Sequence, residues 1–440
     1  MMKKRAYGIL TVLYGGLFES FIYGLYGYQV LTYIFIAMII TVCSDIILLH
    51  AFNGKTVSMV RVKRYMAREE MKKGDKIRVE LTFTNPTSRN MSFYYFDMIP
   101  DAFEISGDYE GKISIAAGKS EKKVYYIVPG IIGKYSLGPV KVIVSDGLGL
   151  AFQSFSIEKY SHSKVGPSSD EVFMERSERM SNMVFTTGVH FSRRAGQGYD
   201  FFGLRAYNET DDMRHVAWNR FNMYGNDDLF AKEWEEDRQI DVIFCIDYSI
   251  GSNSGFGVTR MFDAMVASAM NSAYAVLKNS DKVGFIIYST VHNIYIPPSS
   301  RKDSIDRFGR TVSSIRPDGS FSLDGVNSFI KKVVKKNAMV FVYSSPSYGK
   351  FTGKEVSTDI YTGKQEYYYI LNPDAFYPVP DSESLRVYRR GILSNEFQDI
   401  RKSVNSIRSF GINARMVARN KIFSTTMTDY ITGREGNRGA

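Results

Sequence analysis

Residues 240–246 read Ile-Asp-Val-Ile-Phe-Cys-Ile, an apolar run broken only at Asp241 that stops at Asp247, Tyr248 and Ser249 ahead of glycine and small polar residues. A strand this apolar has to be covered on both faces, which demands a sheet with helices on either side. Downstream segments fit that demand. Residues 259–278 read as a helix, 283–288 and 291–296 as strands closed by Pro297 and Pro298, 302–315 and 323–336 as helices, and 338–343 as another buried strand. A Tyr- and Gly-rich insertion at 346–380 follows, then a helix near 394–410, a strand at 412–417 and a frayed end at 433–440. Alternating strands and helices predict a mostly parallel, doubly wound α/β sheet over 240–432. Ligands of such sheets sit beyond the carboxyl ends of the strands, so Asp247 and Ser249 are candidate ligands for a hard cation.

Immediately before this strand, residues 196–220 carry more polar and aromatic side chains than a connector needs. Asp200, Arg205, Tyr207, Asp211, Asp212, Arg214, Trp218 and Arg220 crowd together and predict a hydrogen-bonded collar beside the sheet. Gly196-Gln197-Gly198 reads as a tight turn, because no strand-to-helix passage of the dinucleotide-binding kind surrounds it. The residues Gly196, Gly198, Phe201, Gly203, Leu204, Arg205 and Tyr207, then Asp211, Asp212, Arg214 and Trp218, then an acidic helix or turn and a strand ending in Asp247 and Ser249, resemble the domain of unknown function 58 family. The resemblance implies a von Willebrand factor A-like module with its characteristic lead-in, and covers roughly residues 60–345. The departures are that the family usually has glycine where Thr210 stands and an acid where Ala217 stands. Its metal motif D-x-S-x-S reads here Asp247, Ser249 and Gly251, with Ser252 one place late.

Toward the N-terminus, residues 6–50 are apolar apart from Glu19, Asp45 and His50, enough for two crossings of a hydrocarbon core that needs about 20 residues each. The spans are placed near 6–21 and 30–49, inside a hairpin domain at 1–54. Lys3, Lys4 and Arg5 precede the first span, and Lys55, Arg61, Lys63 and Arg64 follow the second. By the positive-inside rule this predicts a cell-membrane protein with both termini cytoplasmic. Glu19 and Asp45 lie toward span ends and read as interfacial acids reached by water or by a partner helix. Residues 55–158 show short alternating segments at 77–84, 92–98, 112–116, 122–128 and 140–145 between Asn-Pro, Pro-Gly and Asp-Gly punctuation, and predict an antiparallel, immunoglobulin-like β-sandwich. Residues 159–239 form the connector and collar.

Composition narrows the chemistry. Fifty-six Lys and Arg against 46 Asp and Glu give +10, and the lysine clusters at 72–73 and 119–123 lack an aromatic stacking platform, so nucleic acid is not expected as a partner. Five histidines, none in metal-binding spacing, and two distant cysteines exclude the common zinc motifs and a disulfide. No Walker motif and no G-x-S-x-G elbow occurs, so neither a nucleotide nor a serine-hydrolase reaction is expected. In the von Willebrand A fold the resemblance implies a second-loop hydroxyl, for which Ser320 or Ser322 stands in 317–322, and an acid after a later strand, where residues 343–346 read Tyr-Ser-Ser-Pro instead. The expected site, Asp247, Ser249 and Ser320, would bind Mg²⁺ weakly or not at all. The expected function is a membrane-anchored, non-enzymatic adaptor. The resemblance implies a partner, an AAA-type ATPase of the MoxR group, acting in assembly or maturation of other proteins. The alternatives are a hydrolase built on the Asp247 loop and a basic binder of nucleic acid or anionic lipid.

Overall fold

A computed structural model describes residues 4–24, 29–49, 54–146, 148–168, 195–208, 211–220, 229–235, 239–334, 338–346 and 365–437. The chain divides into two compact units, Met1–Gly166 and Pro167–Ala440.

In the first unit two helices, α1 (Lys4–Gly24) and α2 (Gln29–Leu48), pack antiparallel. The Thr32 hydroxyl donates to the Ser20 carbonyl at 3.0 Å, and a Cβ on Gly16 would strike the ring of Phe35, so the glycine is what lets the helices approach there. Leu10 and Leu13 of α1 and Val42 and Ile46 of α2 meet Leu150 of the following domain. The Asp45 carboxylate accepts the Leu148 backbone N–H at 3.0 Å, so its partner is a turn of the sandwich and not a helix. Among the described residues, no helix is long and apolar enough to cross a membrane.

The sandwich follows from strict alternation. Ile77–Thr84 and Met91–Asp97 bury every second side chain, and two four-stranded antiparallel sheets share one core. One sheet runs Arg61–Met66, Ile77–Thr84, Ser120–Pro129 and Phe103–Gly107; the other runs Phe152–Ile157, Val140–Ser145, Met91–Asp97 and Glu110–Ile115. Phe83 joins them, its ring centroid 4.8 Å from Tyr95 and 5.9 Å from Phe93. A small third sheet adds Ser161–Gly166, so the domain reaches eight residues past its expected end at 158, into the segment expected to be connector.

The same alternation turns Arg64 and Asp97 inward. They form a fully buried ion pair in which Arg64 Nε donates to Asp97 Oδ2 at 3.1 Å, and Nη1 donates to the carbonyls of Leu137 at 2.9 Å and Lys159 at 2.8 Å. Tyr125 Oη donates to Asp97 Oδ2 at 2.6 Å, and burial beside that carboxylate pushes the phenol well above its usual range. Arg64 is therefore no free flanking charge, as its place after the second apolar run suggested; Lys55, Arg61 and Lys63 remain exposed.

The second unit contains a six-stranded sheet in the order Asn293–Ser299, Lys282–Tyr288, Asp241–Asp247, Ala338–Ser344, Gln365–Leu371, Asn413–Val417. Every neighbouring pair is parallel except the first. Asn293–Ser299 runs through Pro297 and Pro298, which an edge position tolerates. Helices Leu323–Val333 and Glu383–Ser409 cover one face. The other carries Met261–Lys278, Asp303–Ser314 and Ile422–Asn437, with Phe285 stacked on Phe308 at 4.2 Å. The doubly wound α/β arrangement is thus present.

Three expectations need correcting. Part of the insertion, Gln365–Leu371, is a central strand whose tyrosines stack on Phe341 and Tyr343. The helix expected at 394–410 begins at Glu383. The frayed end is the last turns of Ile422–Asn437, where Gly433 lies against Met339 and Tyr367 and Arg434 pairs with buried Asp281 at 3.3 Å. Residues 347–364 of the insertion and 438–440 of the tail lie outside the described residues.

Removing one member of a buried pair strands the other's charge, which typically costs about 3–5 kcal/mol. Asp97→Ala should therefore lower the unfolding free energy of the sandwich by about that amount, measured by hydrogen exchange in Ile77–Thr84 of the full chain. Pairing Arg64→Met with Asp97→Leu should recover much of the loss.

Candidate functional site

Asp247 ends the strand at which the sheet's topology switches, since the chain leaves it for Lys282–Tyr288 on one side and later returns to Ala338–Ser344 on the other. In open α/β sheets ligands bind beyond the carboxyl ends of the strands at such a switch. Asp247 is fully buried there. Its Oδ1 accepts the Ser249 N–H at 2.8 Å, and its Oδ2 accepts both the N–H (2.9 Å) and the hydroxyl (2.5 Å) of Ser345. Burial pushes the carboxyl above its ordinary value, and the hydrogen bonds from Ser249 and Ser345 pull it partly back.

Around the carboxylate the loop is tightly set. The Ser249 hydroxyl is buried close enough to the Asp247 carboxylate to pull its pKa down. The Ser252 hydroxyl donates to the Ser249 carbonyl at 2.7 Å, so the serine that stands one place late closes the turn. Gly251 occupies the motif's third position, where a Cβ would lie 3.2 Å from Ser345 Oγ and 3.5 Å from Ser249 Oγ. The glycine leaves room for those two hydroxyls.

The second loop does approach the first. Ile250 N–H donates to the Gly319 carbonyl at 3.2 Å and Asp318 N–H to the Tyr248 carbonyl at 2.9 Å. Ser320, however, bonds to Thr290, its N–H donating to Thr290 Oγ1 at 3.0 Å, while Ser322 caps helix Leu323–Val333 through Gly325 N–H at 3.3 Å. The sequence reading passed over Asp318, which accepts the Ser289 hydroxyl at 2.9 Å and lies 2.5 Å from His292 Nδ1. It also passed over Ser345, whose signal was its place just beyond Ser344, at the end of the strand paired in register with Asp241–Asp247.

A divalent cation fits this set poorly. Asp247 is the single carboxylate in it, both its oxygens already accept hydrogen bonds, and two of those donors are backbone N–H groups that repel a cation. Among the described residues no group of three His, Cys, Asp or Glu is placed to hold a metal.

The collar also differs from expectation. Ala195–Ala206 is a strand bulged after Gly196 and again near Phe201, so Gly196 and Gly198 belong to a strand and not to a tight turn. Its partner Phe230–Glu235 stands where an acidic helix or turn was expected, held by the antiparallel ladder from Gly203 to Ala206. Arg205 Nη1 donates to Asp211 Oδ2 at 2.7 Å, and the Asn208 N–H donates to the same oxygen at 2.9 Å. The guanidinium, then that N–H, hold the Asp211 carboxyl below its usual range. Tyr207 Oη reaches the Asp211 carbonyl at 3.4 Å, and Asp212 accepts Arg214 N–H at 3.0 Å. These bonds close the collar on itself. Trp218 is 54% exposed instead of packed against the sheet, whereas Val216, Ala217 and Ala231 are buried. Buried Ala217 leaves no aqueous place for the acid usual in the family.

Residues 203–347 match the family model described as "Protein of unknown function DUF58". No protein with a curated description matches the chain. Among solved structures, an aerotolerance-related membrane protein from Bacteroides fragilis is 14% identical and covers 44% of this chain and 99% of its own, with a TM-score of 0.30. A FixG-related protein from Vibrio parahaemolyticus is 9% identical and covers 24% of this chain and 94% of its own, at 0.17. At such TM-scores these likenesses establish no shared fold.

An acid whose folded value is raised holds its proton more tightly in the native state, so its stabilising contribution is complete below the ordinary value of 3.8 and is lost as pH rises through the folded value. The stability of the parent minus that of Asp247→Asn should therefore fall from acid to neutral pH in thermal melts, and a difference that climbs would contradict the burial of this group. Trp218→Ala should change the unfolding free energy by no more than about 0.5 kcal/mol, as for other exposed positions.

Proposed function

We propose, from the membership of residues 203–347 in the DUF58 family, that this chain is a membrane-anchored, non-enzymatic adaptor that offers the rim around Asp247 to a protein partner. The observation that carries the anchor is the outer surface of the N-terminal hairpin. Val12 and Val30 are each 73% exposed and Phe18 is 69% exposed, and Phe21, Tyr33 and Ile40 are exposed beside them. Apolar surface on this scale is covered by lipid or protein in a folded molecule. The 20 residues of α2 carry one charge, Asp45. Exposed Lys55, Arg61 and Lys63 after the hairpin support a cytoplasmic sandwich and α/β unit.

The α/β unit is, in this reading, a von Willebrand A-like module with a degenerate metal loop. An adaptor role is supported over hydrolysis by how the polar groups are committed. Asp247 is taken up by Ser249 and Ser345, and the His292 ring is taken up by Asp318. The partner we propose is the one the family resemblance implies, an AAA-type ATPase of the MoxR group, with assembly or maturation of other proteins as the outcome. Any Mg²⁺ at the Asp247 loop needs a second carboxylate, which an acidic partner side chain would supply.

Calorimetry on the full chain should show little Mg²⁺ binding on its own, while capture of a MoxR-type ATPase from solubilised membranes should be lost in EDTA and in Asp247→Ala. Capture that survives both treatments would make the loop a structural remnant and move the binding surface elsewhere.

A further inference from the structure

A groove with a volume of about 630 Å³ lies away from Asp247, along helix Glu383–Ser409. Two ridges of that helix line it. One carries Arg386, Arg390, Ser394 and Gln398, and the other Arg389, Leu393, Phe397 and Arg401, each at four-residue spacing. Residues four apart stand one above the other on a helix, so the ridges run parallel for about 18 Å, twelve residues at 1.5 Å each. Met416, from the edge strand Asn413–Val417, contributes apolar lining.

Charge in the groove is one-sided. Four arginines line it against a single carboxylate, Asp374, and that carboxylate accepts from Arg389 Nη2 at 2.6 Å. Arg389 is further held by the Tyr377 carbonyl at 3.0 Å, and Arg386 Nε by the Pro380 carbonyl at 2.7 Å. Arg390 and Arg401 have no hydrogen-bond or ion-pair partner among the described residues and are exposed. Arginine forks of this kind suit carboxylates and phosphates.

We infer that this groove is a docking site for an extended acidic peptide segment of a partner protein, with acidic residues at both ends and apolar residues between. Three arginines stand at one end and Arg401 at the other, too far apart for one phosphate group to bridge, while Leu393 and Phe397 lie between them. Five or six extended residues at about 3.3 Å each span that length. The site is distinct from the Asp247 rim, so its failure leaves the adaptor reading standing, and the reverse.

The probe is a fluorescein-labelled hexapeptide carrying two glutamates on either side of a Leu-Phe pair, titrated by anisotropy against the detergent-solubilised full chain. Binding should saturate, weaken as salt is added, and fall about tenfold or more when Arg390→Glu is combined with Arg401→Glu. Arg307→Glu with Lys332→Glu, on other helices, should leave it unchanged. Arg390→Gln with Arg401→Gln should also weaken it, with the parent's circular dichroism spectrum and melting profile, which separates lost binding from lost folding. Affinity unchanged in both groove variants would overturn the proposal. So would displacement by inorganic pyrophosphate or phosphatidylglycerol vesicles at concentrations below those of the unlabelled peptide, which would assign the groove to phosphate or lipid.

Discussion

The architecture of the α/β unit turns on one buried carboxylate. Asp247 accepts three hydrogen bonds from two loops, those of Ser249 and Ser345, which leave adjacent strands on opposite sides of the topological switch. A carboxylate buried this deeply costs several kcal/mol unless it is well satisfied, so both loops are fixed wherever the charge is kept. The second loop follows, because Gly319 and Asp318 bond to the backbone on either side of Ser249. Arg64 and Asp97 do the same work in the sandwich, where one ion pair ties an edge strand to the opposite sheet and reaches the carbonyls of Leu137 and Lys159.

How much of this was legible depended on whether a residue's period matched its surroundings. The run ending at Asp247 and the alternation of Ile77–Thr84 are unambiguous, and the structure has them as strands with little change of bounds. Gln365–Leu371 was missed because its five polar or tyrosine residues at the start, Gln-Glu-Tyr-Tyr-Tyr, read as part of an insertion, while the strand is stabilised by ring stacking that spacing does not reveal. Glu383–Ser409 was half seen, since only Ile400, Val404 and Ile407 are buried and its first turns have no apolar stripe toward the core. Arg64 looked like one more basic residue in a flank, and only its register opposite Leu81 and its neighbourhood with Asp97 show that it faces inward.

At the candidate site, two of the three expected residues come together. Asp247 and Ser249 share a loop, whereas Ser320 is drawn to Thr290 by two side-chain bonds. Ser345 takes the place where the family resemblance led to an acid, and the exchange turns a ligand set into a hydrogen-bonded clamp. Beside this clamp the His292 ring lies against Asp318, and in the other unit the apolar hairpin is held to the sandwich at Asp45 and Leu150.

The anchor is the claim on which the rest of the functional account stands. Its most direct measurement is protease accessibility in sealed cells, read with antibodies to the sandwich and to the C-terminus. The account predicts that protease added outside leaves residues 60–440 intact and that permeabilising the membrane exposes them. Digestion of that region from outside intact cells, or its recovery in the soluble fraction without detergent, would contradict it.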